Sequence, residues 1–108
     1  MKRFNVMQHK ELAQMSLGRV QLDASRHALD KALERGLRIP SILDIAVGTI
    51  VEIEVEGRVL VKAVVRVPGN NRDEVYVLRP INGMYKVITC YFNDTNDNHA
   101  TLNLARVN

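Results

Sequence analysis

The feature that most constrains this chain is a change of period at Gly48. Ahead of it, Ala28, Leu29, Ala32 and Leu33 recur at helical spacing. Ser25 stands where an N-cap belongs and Gly36 where a helix stops, so a helix is expected over 24–36. A second, shorter one is expected over 40–47, with Pro40 at its first position, Ile42, Leu43, Ile45 and Ala46 as its apolar side and Gly48 at its end. After Gly48 the period is two. Val51-Glu52-Ile53-Glu54-Val55 alternates strictly, as a half-buried strand does.

The remaining strands follow from the same alternation. Val59, Val61, Ala63, Val65 and Val67 form one apolar face. A three-residue loop, Glu56-Gly57-Arg58, places Val55 opposite Val59 and Glu52 opposite Lys62, a favourable cross-strand pair. A two-residue loop would instead mix Arg58 and Lys62 into the valine face. Glu74–Arg79 is a third strand. Asn82-Gly83 is a strong type I′ hairpin signal joining it to a fourth over 84–92. Counting outward from that turn sets Tyr76 opposite Thr89 and puts Tyr85, Val87, Thr89 and Tyr91 on one face. Thr101–Val107 is a possible edge strand. Residues 1–20 allow a helix or a late-docking arm, interrupted at Gly18. The expectation is one α+β domain over 1–108: two or three N-terminal helices packed on a four- to five-stranded antiparallel sheet.

Length supports a single core. No apolar run approaches the roughly 20 residues that span a bilayer, and with no long apolar stretch after its basic start the N-terminus is not expected to be a secretory leader. The one cysteine, Cys90, gives no internal disulfide and no CxxC pair. A cytoplasmic setting is expected, with no membrane partner. The net charge of +3 is concentrated early: residues 1–48 hold eight Lys/Arg against five Asp/Glu, and residues 49–108 seven of each. Such a bias suits a polyanion, though a net charge this small is first of all what plain solubility requires.

On a helical wheel the apolar side of 24–36 is centred between Leu29 and Ala32, with His27 nearly opposite. Lys31 lies about 40° from His27 and Arg35 about 80°, so the three fall along one edge. The bland reading of His27 is a solvated surface histidine. His9, His27, His99 and Cys90 lack the tight spacing of metal ligands, so neither metal nor cofactor is expected. Asn93–Asn98 lacks the glycine and terminal glutamate of a calcium loop, and no Gly-rich phosphate loop is present.

The run Ser25-Arg26-His27-Ala28-Leu29, with Glu34-Arg35-Gly36 after it, then a short helix and alternating strands with Val87-Ile88-Thr89 near the end, resembles the BECR superfamily of small bacterial and phage nuclease toxin domains. The resemblance covers roughly residues 23–107 and leaves 1–22 unmatched. Lys31 stands where that family commonly has arginine, which loses the two-pronged donor geometry. The resemblance implies a metal-independent endoribonuclease of toxin type. In it the ribose 2′-hydroxyl attacks the adjacent phosphorus, leaving a 2′,3′-cyclic phosphate. The resemblance implies RNA, tRNA included, as the substrate and an immunity protein or antitoxin as the partner. Delivery within a larger toxin is compatible with the sequence, which leaves the oligomeric state open.

That chemistry needs a base, an acid and cations on the phosphoryl oxygens. His27 is the first choice for proton transfer and His99 the second, with Thr89 and Arg35 completing the candidate catalytic set. Lys31, Lys62, Arg66, Tyr91 and Thr101 are candidate substrate contacts, Tyr91 by stacking a base. Each has a plain structural reading: Arg35 ends a helix, Lys62 pairs across strands, Tyr91 fills the sheet and His99 sits in a loop. The alternative function is a non-catalytic small regulator that binds RNA or inhibits a protein partner. A third reading is an accessory protein that assembles through a sheet edge.

Overall fold

The computed structural model describes residues 2–4, 18–45, 50–56 and 59–95. Among them are seven strands and one helix: β1 (Lys2–Phe4), β2 (Gly18–Ala24), α1 (Arg26–Arg35), β3 (Ile42–Ile45), β4 (Ile50–Glu56), β5 (Val59–Val67), β6 (Arg72–Ile81) and β7 (Met84–Asp94). The sheet order is β1-β4-β5-β6-β7-β2-β3. Six strands form a curled half-barrel of mixed direction, because β2 runs parallel to β7 while the other pairs are antiparallel. This corrects the expected two or three helices on an antiparallel sheet.

Of the helix expected over 40–47, residues 42–45 form strand β3 instead, and 46–47 lie outside the described residues. Ile42 and Asp44 are exposed while Leu43 and Ile45 are buried, an alternation of period two. The segment is too short for a stable helix alone, and its β-branched isoleucines suit a strand pairing with β2. Residues 18–20, expected to be helix or arm, belong to β2, where Leu22 is buried and Val20 and Ala24 pack on the core. The suggested helix over residues 7–17 and edge strand over 101–107 lie outside the described residues.

Helix α1 follows its caps. The Ser25 hydroxyl accepts from the Ala28 N–H at 3.0 Å, and Gly36 closes the helix at φ 69°, where a side chain would be strained. Yet the helix is rotated from the expected orientation. Ala28 and Ala32 face the sheet at 0% and 5% exposure, while Leu29 and Leu33 stand 52% and 85% exposed. Small side chains at i and i+4 let the helix approach the sheet closely, and Leu37, 6% exposed beyond the cap, supplies the bulk.

One expected register shifts through the length of its connection and two through bulges. β4 and β5 meet through the two-residue connection, with Glu56 opposite Val59, and an extra residue at Val61 puts Glu54 rather than Glu52 opposite Lys62. That bulge keeps Ala63 and Val65 on the core face. Asn82 and Gly83 form the hairpin turn with φ 50° and 81°, as expected for type I′. An extra residue at Ile88 then sets Val77, not Tyr76, opposite Thr89. Tyr85, Val87, Cys90 and Phe92 therefore all reach the core.

The core lies between α1 and one face of the sheet. Ile53, Ala63, Leu78 and Val87 form one buried row, and Ile50, Val65, Tyr76 and Cys90 the next. The Tyr76 hydroxyl donates to Glu74 Oε1 at 2.5 Å, which satisfies the polar end of a fully buried ring.

Candidate functional site

The two segments that carry the family resemblance meet in space. The Ser25 N–H donates to the Val87 carbonyl at 3.0 Å, and the Ser25 hydroxyl lies 3.2 Å from the Ile88 carbonyl. The same hydroxyl caps α1, so one side chain ties the helix start to the bulge in β7. At the other end, Arg35 Nη1 donates to the Cys90 carbonyl at 2.6 Å. Helix α1 is thus fixed to β7 at both termini.

Its outer surface has two unlike edges. On one, Leu29 and Leu33 lie one turn apart and open to solvent. The other carries His27, Lys31 and Arg35. His27 is exposed, with no hydrogen bond or ion pair among the described residues. The cations of the helix are engaged. Arg26 lies 3.8 Å from Asp30, Lys31 lies 3.4 Å from Glu34, and Arg35 is held by β7. The helix surface is therefore charge-balanced around an apolar pair.

The remaining described candidates gather on the second face of the sheet, away from α1. Thr89 and Tyr91 point there because Cys90 between them faces the helix, where its sulfur lies 3.7 Å from the Ala28 carbonyl. Val77 stands opposite Thr89, and Val75 opposite Tyr91 and Arg66. Lys62 shares this face, with its ammonium 3.0 Å from Glu54. Arg66 Nε donates to Asp73 at 2.7 Å and its Nη2 to the Asp94 carbonyl at 2.6 Å. Asp73 also accepts from the Gly69 N–H at 2.9 Å and from the Thr95 hydroxyl at 3.2 Å. The Gly69 amide and then the Arg66 guanidinium hold the Asp73 carboxyl below its usual range. Burial, reinforced by Glu52 and opposed by Arg66, pushes the Tyr91 phenol up.

The structure thus brings Thr89, Tyr91, Lys62 and Arg66 together on one face, and His27, Lys31 and Arg35 together on a helix packed against the other. His99 and Thr101 lie outside the described residues. Among those described, no proton-transfer residue of the helix is joined by a hydrogen bond to the Thr89 face. No group of three or more His, Cys, Asp or Glu among them is placed to hold a metal ion, and no helix among them is long and apolar enough to cross a membrane. The wheel missed that Leu29 and Leu33 face outward. The signal that would have found it is the small-residue row Ser25, Ala28, Ala32 and Gly36, which marks the side of closest approach.

No family model, curated protein or solved structure matches the chain.

Proposed function

We propose that this chain is a non-catalytic small regulator that binds a protein partner along the outer surface of α1. The observation that carries the reading is the outward placement of Leu29 and Leu33, which leaves two large apolar side chains one turn apart in water. Charge balance favours a protein over RNA. Arg26 and Lys31 face carboxylates of their own helix and Arg35 is spent on β7, so little free cation remains to neutralise phosphates. An apolar pair ringed by charges resembles the anatomy of a small protein interface. The test is photo-crosslinking in the native host from a photoreactive side chain placed at position 33. Discrete adducts that vanish when Leu29→Asp is added support the reading, and their absence overturns it.

A second reading, the metal-independent endoribonuclease, is favoured by the junction of Ser25 with Val87 and Ile88, which places both motif segments side by side. In that reading His27 transfers the proton and RNA is the substrate. Total RNA incubated with the protein in a chelator, beside a His27→Ala control, decides it. Discrete cuts with cyclic-phosphate ends from the parent alone would establish the nuclease. Intact RNA in both tubes would remove it.

A further inference from the structure

The β6–β7 hairpin ends in the one Asn-Gly step of the chain. The strands pair out to Ile81 and Met84, and Asn82 and Gly83 make the connection. Ile81, Asn82 and Gly83 are all exposed. The space around Gly83 is open, since a Cβ placed there would meet nothing within 4 Å. The turn lies beyond the part of β7 that holds α1, which runs from Val87 to Cys90.

Two properties of this step act on its own chemistry, in opposite directions. An asparagine carries an electrophilic amide carbon, Cγ, where the backbone nitrogen of the next residue can close a five-membered ring on it. Glycine in the next position leaves that nitrogen unshielded, because it has no Cβ. After Asn70, Asn71 and Asn93 stand Asn71, Arg72 and Asp94, each with a side chain beside the nitrogen. The turn geometry opposes the reaction. Asn82 at φ 50° and Gly83 at φ 81° belong to a type I′ turn, in which ψ at the first central residue is about +30°. Ring closure instead needs the Asn82 Cβ and the Gly83 nitrogen nearly eclipsed about the Cα–C bond, which this turn excludes. Attack therefore waits for the tip to open. The tip is the end of the strand ladder, and ladder ends open at lower free energy than the core.

We infer that Asn82 is a self-modification site, where the chain converts its own asparagine to aspartate and isoaspartate through openings of the hairpin tip. The Gly83 nitrogen gives up its proton and bonds to Asn82 Cγ, and the side-chain nitrogen leaves as ammonia. Water then opens the cyclic imide. Addition at Cγ restores the ordinary backbone with an aspartate. Addition at the main-chain carbonyl carbon routes the backbone through Cγ and leaves isoaspartate. One water is consumed and one ammonia released, with no change of oxidation state. Isoaspartate puts an extra methylene into a loop whose length sets the strand register, so it loosens the Ile81–Met84 and Pro80–Tyr85 pairs. Either product adds a carboxylate to the open groove that Asn82 lines together with Arg19, whose side chain is 80% exposed.

The test incubates the full chain folded and in urea, then digests it with trypsin. Pro80 protects the Arg79 bond, so the site falls in the peptide Asp73–Lys86, where Asn82 is the only asparagine. Mass spectrometry reads the exchange of amide for acid, and labelling by an isoaspartyl methyltransferase separates isoaspartate from aspartate. In urea Asn82 is expected to convert ahead of Asn70, Asn71 and Asn93. Gly83→Ala should slow it there, where shielding of the nitrogen acts without the turn. The folded protein should convert Asn82 about tenfold or more slowly than the unfolded chain, yet still yield isoaspartate. Four results would each overturn the inference: no lead for Asn82 in urea, no slowing by Gly83→Ala, equal rates folded and unfolded, or no conversion at all in the folded protein.

Discussion

Truncation of Leu33 to alanine is expected to change stability by no more than about 0.5 kcal/mol. A leucine cut to alanine in a core costs about 2–5 kcal/mol. Leu33 is 85% exposed, so only a small part of its side chain is removed from water. Scaling the roughly 2–3 kcal/mol of a fully buried leucine by that part gives about 0.4 kcal/mol, and the better helix propensity of alanine offsets some of it. Leu29, 52% exposed, should lose about 1 kcal/mol on the same scaling. The contrast is Ala32→Gly. That site is 5% exposed, and losing its buried methyl (~0.8 kcal/mol) along with about 1 kcal/mol of helix propensity predicts a loss near 2 kcal/mol. Urea unfolding followed by far-ultraviolet circular dichroism measures all three, provided the slopes agree. A loss above about 2 kcal/mol for Leu33→Ala, with Ala32→Gly close to neutral, would refute the rotation of α1 on which the proposed surface rests.

Other consequences are equally direct. Ser25→Ala removes both the cap of α1 and its contact with the Ile88 carbonyl, and should cost about 1–2 kcal/mol in the same assay. Burial raises the phenols of Tyr76, Tyr85 and Tyr91 above the ordinary value. Stability from keeping them neutral is present below the ordinary phenol pKa of about 10 and is lost as pH rises through the raised values. Phenolate absorbance should therefore lag that of the urea-unfolded chain and rise together with alkaline unfolding. The Asp73 carboxyl is depressed, so its contribution is present above the ordinary carboxylate range and lost as pH falls through its folded value. Asp73→Asn should be the less stable protein at neutral pH, with the gap closing on acidification. Cys90 is fully buried with its thiol pushed up by that burial, so thiol reagents should modify it only as fast as the protein opens.

The local features were legible in the sequence. Ser25 and Gly36 carry their own cap chemistry, so α1 was readable to within a residue or two, and Asn82-Gly83 defined its hairpin because both residues accept positive φ. The features that stayed hidden depend on distant partners. Ile42–Ile45 reads as one side of a short helix until β2 offers an edge to pair with, and the parallel pairing of β2 with β7 leaves no periodic trace. Single-residue bulges at Val61 and Ile88 each reverse the facing of the residues beyond them, which strict alternation cannot anticipate. The wheel of α1 weighed leucine above alanine and so turned the wrong side inward, because close approach rather than bulk decided the packing. Of the candidate site, Thr89 and Tyr91 do share a face, but Tyr85 and Val87, expected on it with them, face the core because of the bulge at Ile88. Lys62 and Arg66 join Thr89 and Tyr91, already tied to Glu54 and to Asp73. The separation of His27 from that face follows only from which side of the sheet α1 covers.

Site-specific photo-crosslinking in the native host decides whether a protein docks on the outer surface of α1, with the photoreactive side chain at position 33 and, as a control, at the exposed Asn70. A discrete protein adduct is expected from position 33, absent from position 70 and lost when Leu29→Asp is added. Equal adducts from both positions, or none from position 33 while the protein remains folded, would contradict it.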